Sequence, residues 1–123
     1  MTPHFTNAEL ACKCGCGMLP KPDFMEKCER VRIKFGKPLP VTSAARCPTH
    51  NDRVSGTGIS GPHTTGRAID FGVRGAEAVR LMKIMLEEGF TGIGVSQKGA
   101  SRFIHGDDLP NTMGSPRPTV WSY

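Results

Sequence analysis

The stretch GPHTTGRAID, residues 61–70, is the most informative part of this chain, and it joins a loop to a strand. Two glycines and a proline predict a loop over its first half. Its second half opens a strand over residues 67–73, in which apolar side chains alternate. Asp70 lies in the middle of that strand, where a carboxylate is costly unless a cation compensates its desolvation. The stretch therefore brings His63 towards a buried carboxylate.

A second histidine, His105, ends another apolar strand and completes a set of three polar groups in buried surroundings. Two imidazoles and one carboxylate match the protein ligands of a catalytic zinc that keeps its fourth position open for water. With neutral His63 and His105, Zn²⁺ and Asp70 leave a net charge of about +1, which lowers the pKa of a bound water. The spacing alone leaves a second interpretation, in which Asp70 pairs with Arg67 or Arg102 and both histidines are incidental.

The rest of the chain predicts an α+β fold with a small, mainly antiparallel sheet, because strands occur both with helices between them and as a hairpin. We predict two long helices, 22–35 and 75–88, and two short ones, 5–11 and 48–54. Strands are predicted at 39–45, 67–73, 91–95 and 102–105, and the last two form the hairpin. Residues 55–66 are expected to be a loop, and the tail, 107–123, is expected to dock on the rest of the domain.

Apolar side chains recur with helical spacing in both long helices, and these faces are the predicted contribution of the helices to the core. In the first helix the face consists of Phe24, Cys28, Val31 and Phe35. In the second helix it consists of Ala78, Leu81, Met82, Met85 and Leu86.

Length and composition limit the classes of protein that fit. A chain of 123 residues predicts a single domain spanning 1–123. The net charge of +5 suits an anionic partner, but the basic residues are scattered and aromatic residues are few, which disfavours nucleic-acid binding. No apolar run approaches the roughly 18 residues that a membrane span needs, so we expect no membrane insertion. The N-terminal residues show no secretory signal peptide, which predicts synthesis in the cytoplasm.

The five cysteines form a second feature that composition alone does not explain. Cys12, Cys14 and Cys16 alternate with Lys13 and Gly15, and Cys47 follows much later. Three states remain open for these four thiols: a disulfide that joins the cluster to Cys47, a second, structural zinc, or free thiols. The fifth, Cys28, lies on the apolar face of a predicted helix and is expected to be a small buried hydrophobic residue.

Residues 61–70 resemble the His-x-x-Gly-x-Ala-x-Asp signature of the zinc D-Ala-D-Ala carboxypeptidases and L-Ala-D-Glu endopeptidases. These enzymes are small peptidoglycan hydrolases that share a fold with the hedgehog signalling domain. Further stretches that resemble the family are TSAARCPTHN at 42–51, GIGV at 92–95, FIHGD at 103–107 and, as in phage and prophage members, RPTVWSY at 117–123. The resemblance implies that His63, Asp70 and His105 bind Zn²⁺ in a fold of the hedgehog and D,D-peptidase type.

The resemblance also implies roles for residues beside the metal. Arg46 matches an arginine that binds a substrate carboxylate or carbonyl, and a guanidinium suits that task because it stays charged and binds carboxylates bidentately. A surface salt bridge is the alternative role for Arg46. Arg102 stands where some members have an acid, so the general base is open. Asp107 either moves the proton in catalysis or accepts a hydrogen bond that holds His105 in the right tautomer, and Asp108 is a weaker candidate for the base.

The resemblance implies an endolysin-like zinc metallopeptidase that cleaves the L-Ala-D-Glu bond of peptidoglycan stem peptides. It would act as a monomer, in the periplasm or outside the cell, where its positive charge favours anionic wall polymers. Two alternatives share the fold: a D-Ala-D-Ala carboxypeptidase and a non-catalytic zinc-binding module. A zinc knuckle of the cysteine cluster that binds nucleic acid is a further alternative, but it leaves His63, Asp70 and His105 unexplained.

Overall fold

The computed structural model describes all 123 residues and has an α+β fold, which confirms the predicted fold class. The α-helices are α1 (Asn7–Leu10), α2 (Pro22–Phe35), α3 (Pro48–Val54) and α4 (Gly75–Glu87). The strands are β1 (Val41–Ser43), β2 (Ala68–Phe71), β3 (Gly92–Ser96), β4 (Phe103–Asp107) and β5 (Thr119–Ser122). None of the helices has the length and apolar character needed to cross a lipid bilayer.

The five strands form one sheet in the order β1-β2-β4-β3-β5. Every neighbouring pair is antiparallel except β3 and β5, so the mainly antiparallel sheet and the β3–β4 hairpin are confirmed. The tail docks as the edge strand β5, which the sequence did not predict as a strand. The expectation of a plain loop over 55–66 is wrong at one point, because Pro62–Thr65 forms a 3₁₀ helix that ends at Gly66 with a φ of 75°.

The core lies on one face of the sheet, under α2 and α4. The predicted apolar face of α2 is buried throughout, and Met25 adds to it. The predicted face of α4 is wrong at Leu86, which is 56% exposed, whereas Ile84 is buried. The reason is helical geometry, because each residue turns the helix by about 100°. The apolar stripe is centred on Leu81 and Met85. It includes Ile84, whereas Leu86 lies outside it and faces solvent.

The opposite face of the sheet carries the residues of the candidate site. Strand register places Asp70, His105, Gly94 and Trp121 in one row across β2, β4, β3 and β5. Gly94 makes this row possible, because a Cβ at that position would lie 2.8 Å from the Trp121 indole and 3.0 Å from the Cβ of His105. The missing side chain thus leaves the space in which the tail's tryptophan lies beside the histidine.

Candidate metal centre

The structure brings His63, Asp70 and His105 together. His63 lies in the 3₁₀ helix, Asp70 in β2 and His105 in β4, and all three are buried. Asp70 Oδ1 lies 3.3 Å from His63 Nε2 and 2.9 Å from His105 Nδ1. The ligand atoms of all three residues lie within 4.8 Å of one another, so a single ion could contact each of them.

The hydrogen bond of His63 fixes which of its nitrogens faces Asp70. His63 Nδ1 lies 2.7 Å from the carbonyl oxygen of Ala44. A carbonyl only accepts, so Nδ1 carries the proton and donates it. In the neutral ring the lone pair is therefore on Nε2, the nitrogen that faces Asp70 Oδ1.

His105 lies between two carboxylates, one at each ring nitrogen. Its Nε2 lies 2.8 Å from Asp107 Oδ2, and its Nδ1 lies 2.9 Å from Asp70 Oδ1. Both carboxylates only accept, so when the ring proton is on Nε2 and is donated to Asp107, Nδ1 needs a second proton or a cation between it and Asp70. Two imidazole nitrogens thus converge on one carboxylate oxygen from different elements of the fold.

The contacts between these nitrogens and Asp70 show whether the residues fit a metal ion. A lone pair that faces a carboxylate oxygen at about 3 Å is repulsive, so each contact needs either a proton on the ring or a cation between the groups. Burial raises the pKa of Asp70, but the ring N–H groups and positive charge of His105 and His63, when these are protonated, outweigh burial and hold the pKa below its usual range. Two nitrogens and one carboxylate oxygen are a donor set that zinc favours, and the residues fit the ion.

Neither arginine of the alternative interpretation neutralises Asp70. Arg67 pairs instead with Asp23 and Asp108, on which its guanidinium makes hydrogen bonds of 2.7–3.0 Å. Arg102 donates to the backbone carbonyl of Gly99. The two imidazoles are therefore the groups that face the buried carboxylate.

Arg46 lies in the same cleft as the three residues and has no acidic partner. Its guanidinium donates to Asn51 Oδ1 at 2.9 Å and to Ser43 Oγ at 2.8 Å, and its backbone N–H donates to the carbonyl of His63. Asn51 is buried and also donates to Thr57, so it anchors this loop. These contacts hold the guanidinium in place while leaving its charge unneutralised.

Asp107 is completely buried, and both of its oxygens are engaged. Oδ2 accepts from His105, and Arg117 donates to both oxygens at 2.9 Å. Burial raises the pKa of Asp107, but these hydrogen bonds have the larger effect and lower the pKa to about 2. Asp108, the weaker candidate for the base, accepts from Arg67 and Lys27 and does not line the cleft.

Sequence reasoning missed the part that the tail plays at this site. The Arg117 guanidinium pairs with Asp107 and lies 5.3 Å from the centre of the Trp121 ring, which is 5.0 Å from the ring of His105. Tyr123 also lines the cleft. The signal was present in the period-2 alternation of Thr119, Trp121 and Tyr123, which is typical of a strand with one covered face.

The cleft above these residues has a volume of about 860 Å³. Two loop segments contribute most of its lining, one within 54–65 before β2 and the other within 109–117 after β4. Asp70 is the only acidic side chain that lines it, whereas Arg46 and Arg117 both do. A cleft of this volume is in the upper part of the range for ligand sites and has room for a short peptide.

An open cleft with two imidazoles and one carboxylate at its floor, on an α+β scaffold, is typical of enzymes that bind a single metal ion. A comparison with models of protein families identifies the family of this chain: the model described as Peptidase M15 matches residues 3–107. The chain belongs to this family of zinc-dependent metallopeptidases, which confirms the resemblance noted from residues 61–70. A comparison with curated proteins finds no match.

Proposed function

We propose that the protein is a zinc peptidase that hydrolyses an amide bond of the peptidoglycan stem peptide, and that His63 Nε2, Asp70 and His105 Nδ1 hold the zinc. The observation that carries the proposal is the convergence of two imidazole nitrogens on a buried carboxylate at the floor of a peptide-sized cleft. When bound, zinc would polarise the scissile carbonyl and lower the pKa of water.

The bond between L-Ala and D-Glu is the proposed point of cleavage. D-Glu bears a free carboxylate next to this bond, and Arg46 offers the cleft an unneutralised guanidinium for it. The cleft volume supports an internal bond, since substrate residues on both sides of the bond need room. The net charge of +5 favours a location among anionic wall polymers, in the periplasm or outside the cell.

Asp107 is proposed to position His105 rather than to move the proton. Its oxygens accept from His105 and from Arg117, and none of its surface is exposed to the cleft. A carboxylate with a pKa of about 2 is also a poor proton acceptor near neutral pH. Its contact keeps the proton of His105 on Nε2 and the lone pair on Nδ1, which is the state that a metal ligand requires.

Defined stem peptides provide the test. The zinc-loaded protein is incubated with a peptide that contains both L-Ala-D-Glu and D-Ala-D-Ala, and the products are identified by mass spectrometry. We expect a new D-Glu amino terminus, absent with His63→Ala and Asp70→Asn and retained with His4→Gln, a change at an exposed histidine away from the site. Release of free D-Ala instead would assign the carboxypeptidase reaction.

One observation favours a second candidate, a non-catalytic zinc-binding module. Asp70 is the only acidic side chain that lines the cleft, and a metal ligand is not free to accept the proton of water. This candidate predicts that the wild type binds a zinc ion in the cleft and that Asp70→Asn loses this ion, with both proteins leaving every stem peptide intact. Any cleavage that the wild type shows and Asp70→Asn lacks rules this candidate out.

A further inference from the structure

A second group of ligand atoms lies outside the cleft. The Sγ atoms of Cys12, Cys14, Cys16 and Cys47 all lie within 4.8 Å of one another. All are free thiols in the structure, as is Cys28, which is buried in the core away from them. Three of the four come from one short loop, and the fourth directly precedes α3. The fold thus gathers four of the five sulfurs at one point.

The distances within this cysteine cluster match those around a tetrahedral zinc. Thiolates at Zn–S distances of about 2.3 Å lie about 3.8 Å from one another at the corners of a tetrahedron. In the cluster, Cys14 Sγ lies 3.4 Å from Cys12 Sγ and 3.6 Å from Cys47 Sγ. A single disulfide would join only two of the four sulfurs and would not explain why the other two lie beside them.

Backbone donors already point at the sulfurs. The N–H of Cys47 donates to Cys12 Sγ at 3.3 Å, and the N–H of His50 donates to Cys47 Sγ at 3.4 Å. Donors of this kind stabilise negative charge on sulfur, as groups around metal-bound thiolates do. The loop conformation fits as well, because Gly15 and Gly17 have φ values of 86° and 87° and let a short loop turn its cysteines to the same side.

Apart from the sulfurs, residues 13–17 make one hydrogen bond to parts of the chain outside the loop, from Lys13 Nζ to the carbonyl oxygen of Thr42. Residues 11–21 form no helix or strand, and residues 13–17 are all exposed. Two backbone hydrogen bonds tie the loop to itself, from Cys12 N to Met18 O and from Gly15 N to Cys12 O. Structural zinc stabilises small domains where apolar burial is insufficient.

From these contacts we infer a second, structural zinc site formed by Cys12, Cys14, Cys16 and Cys47. Binding displaces the four thiol protons to solvent and leaves a zinc–thiolate group with a net charge of −2. No redox step is involved, and no position remains open for water, so the site is not catalytic. The inference stands independently of the proposed function, since it uses none of the residues of the cleft.

The metal would fasten the N-terminal loop to the segment that positions the cleft. Cys47 follows Arg46, and in the same segment Ala44 accepts from His63. Ala45 donates to the carbonyl of Leu10, just before the cysteine loop. The second zinc would thus brace residues 44–47, the segment that contacts His63.

Metal content of the full chain, purified under reducing conditions with zinc and then desalted, tests the inference. We expect two zinc ions per chain in the wild type and one in Cys16→Ser. Cys28→Ala is the matched control, a cysteine outside the cluster, and it should keep two. In the His63→Ala variant we expect one zinc, and replacing that ion by Co²⁺ should give the charge-transfer absorption of thiolate–cobalt bonds.

The pattern across variants separates the two proposals. If the cleft binds no zinc but the cysteines do, the wild type has one ion, His63→Ala retains it and Cys16→Ser has none. Zinc content that is the same in Cys16→Ser as in the wild type overturns the inference, as does the absence of thiolate–cobalt absorption. A peptide map without reductant that shows Cys14 bonded to Cys47 would also overturn it.

Discussion

The two roles considered for Asp107 predict different consequences for the same substitution, Asp107→Asn. The change removes the negative charge behind His105 but keeps a side chain of the same size at a site with no exposure to solvent. If Asp107 positions His105, zinc affinity should fall about 10- to 100-fold, which corresponds to about 1.4–2.7 kcal/mol. Turnover at saturating zinc should then stay close to that of the wild type.

The sole tryptophan of the chain makes the measurement specific to this site. The Trp121 ring lies 5.0 Å from the ring of His105, so its fluorescence should respond to a metal in the cleft. Zinc is titrated against a competing chelator while tryptophan emission is followed, and peptide hydrolysis is measured over the same range of free zinc. Asp108→Asn is the matched control on the same turn, and it should leave zinc affinity unchanged because Asp108 contacts Arg67 and Lys27 instead.

A loss of stability must be separated from a loss of zinc. Asp107→Asn leaves the Arg117 guanidinium, whose side chain is 7% exposed, without its partner, and breaking a buried ion pair costs about 3–5 kcal/mol. Asp107→Asn combined with Arg117→Met removes that unpaired charge and should recover much of the stability while zinc affinity stays low. The positioning role is refuted if Asp107→Asn binds zinc like the wild type but turns over about 10²- to 10⁴-fold more slowly, as loss of a general base would give.

Three further substitutions test other contacts of the structure. Arg46→Gln should raise KM about 10- to 100-fold for a stem peptide with a free D-Glu carboxylate and leave KM unchanged for the amidated peptide, because a hydrogen bond to a charged group contributes about 1.5–3 kcal/mol. Phe71→Ala should lower the free energy of unfolding in urea by about 3–5 kcal/mol, since this ring is completely buried. Gly94→Ala should cost about 1–3 kcal/mol and shift the Trp121 emission, because the new Cβ would collide with the indole, whereas Gly114→Ala meets no atom within 4 Å and should change neither.

The parts of the fold that the sequence predicted well are those in which local patterns agree with the final packing. Helix α2 has the predicted bounds because its apolar stripe is continuous and Gly36, with a φ of 77°, ends it. The convergence of His63 and Asp70 could also be predicted, because a loop that leads into a short buried strand allows few placements of the two side chains. His105 could be added because a strand of the same kind ends in it.

The remaining features depend on contacts between distant parts of the chain. Strand β5 pairs in parallel with β3, and a Pro-rich segment with one short apolar patch gives no local signal for that partner. Arg117 completes the surroundings of Asp107 only because this pairing returns the tail to the sheet. The sulfur of Cys47 likewise meets the loop of residues 12–16 through tertiary packing, so spacing alone left its state open.

The segment 44–47 connects the two candidate metal sites. Its first residue accepts the hydrogen bond that fixes the tautomer of His63, and its last contributes a sulfur to the cysteine cluster. Between them, the backbone N–H of Arg46 donates to the carbonyl of His63 and its guanidinium lines the cleft. A displacement of this segment by 1 Å would break the 2.7 Å contact of His63 and turn its lone pair away from Asp70. A domain of this size has little core beneath the loops of its cleft. A metal that fixes Cys47 would therefore help to hold His63 and Arg46 in place without contacting substrate.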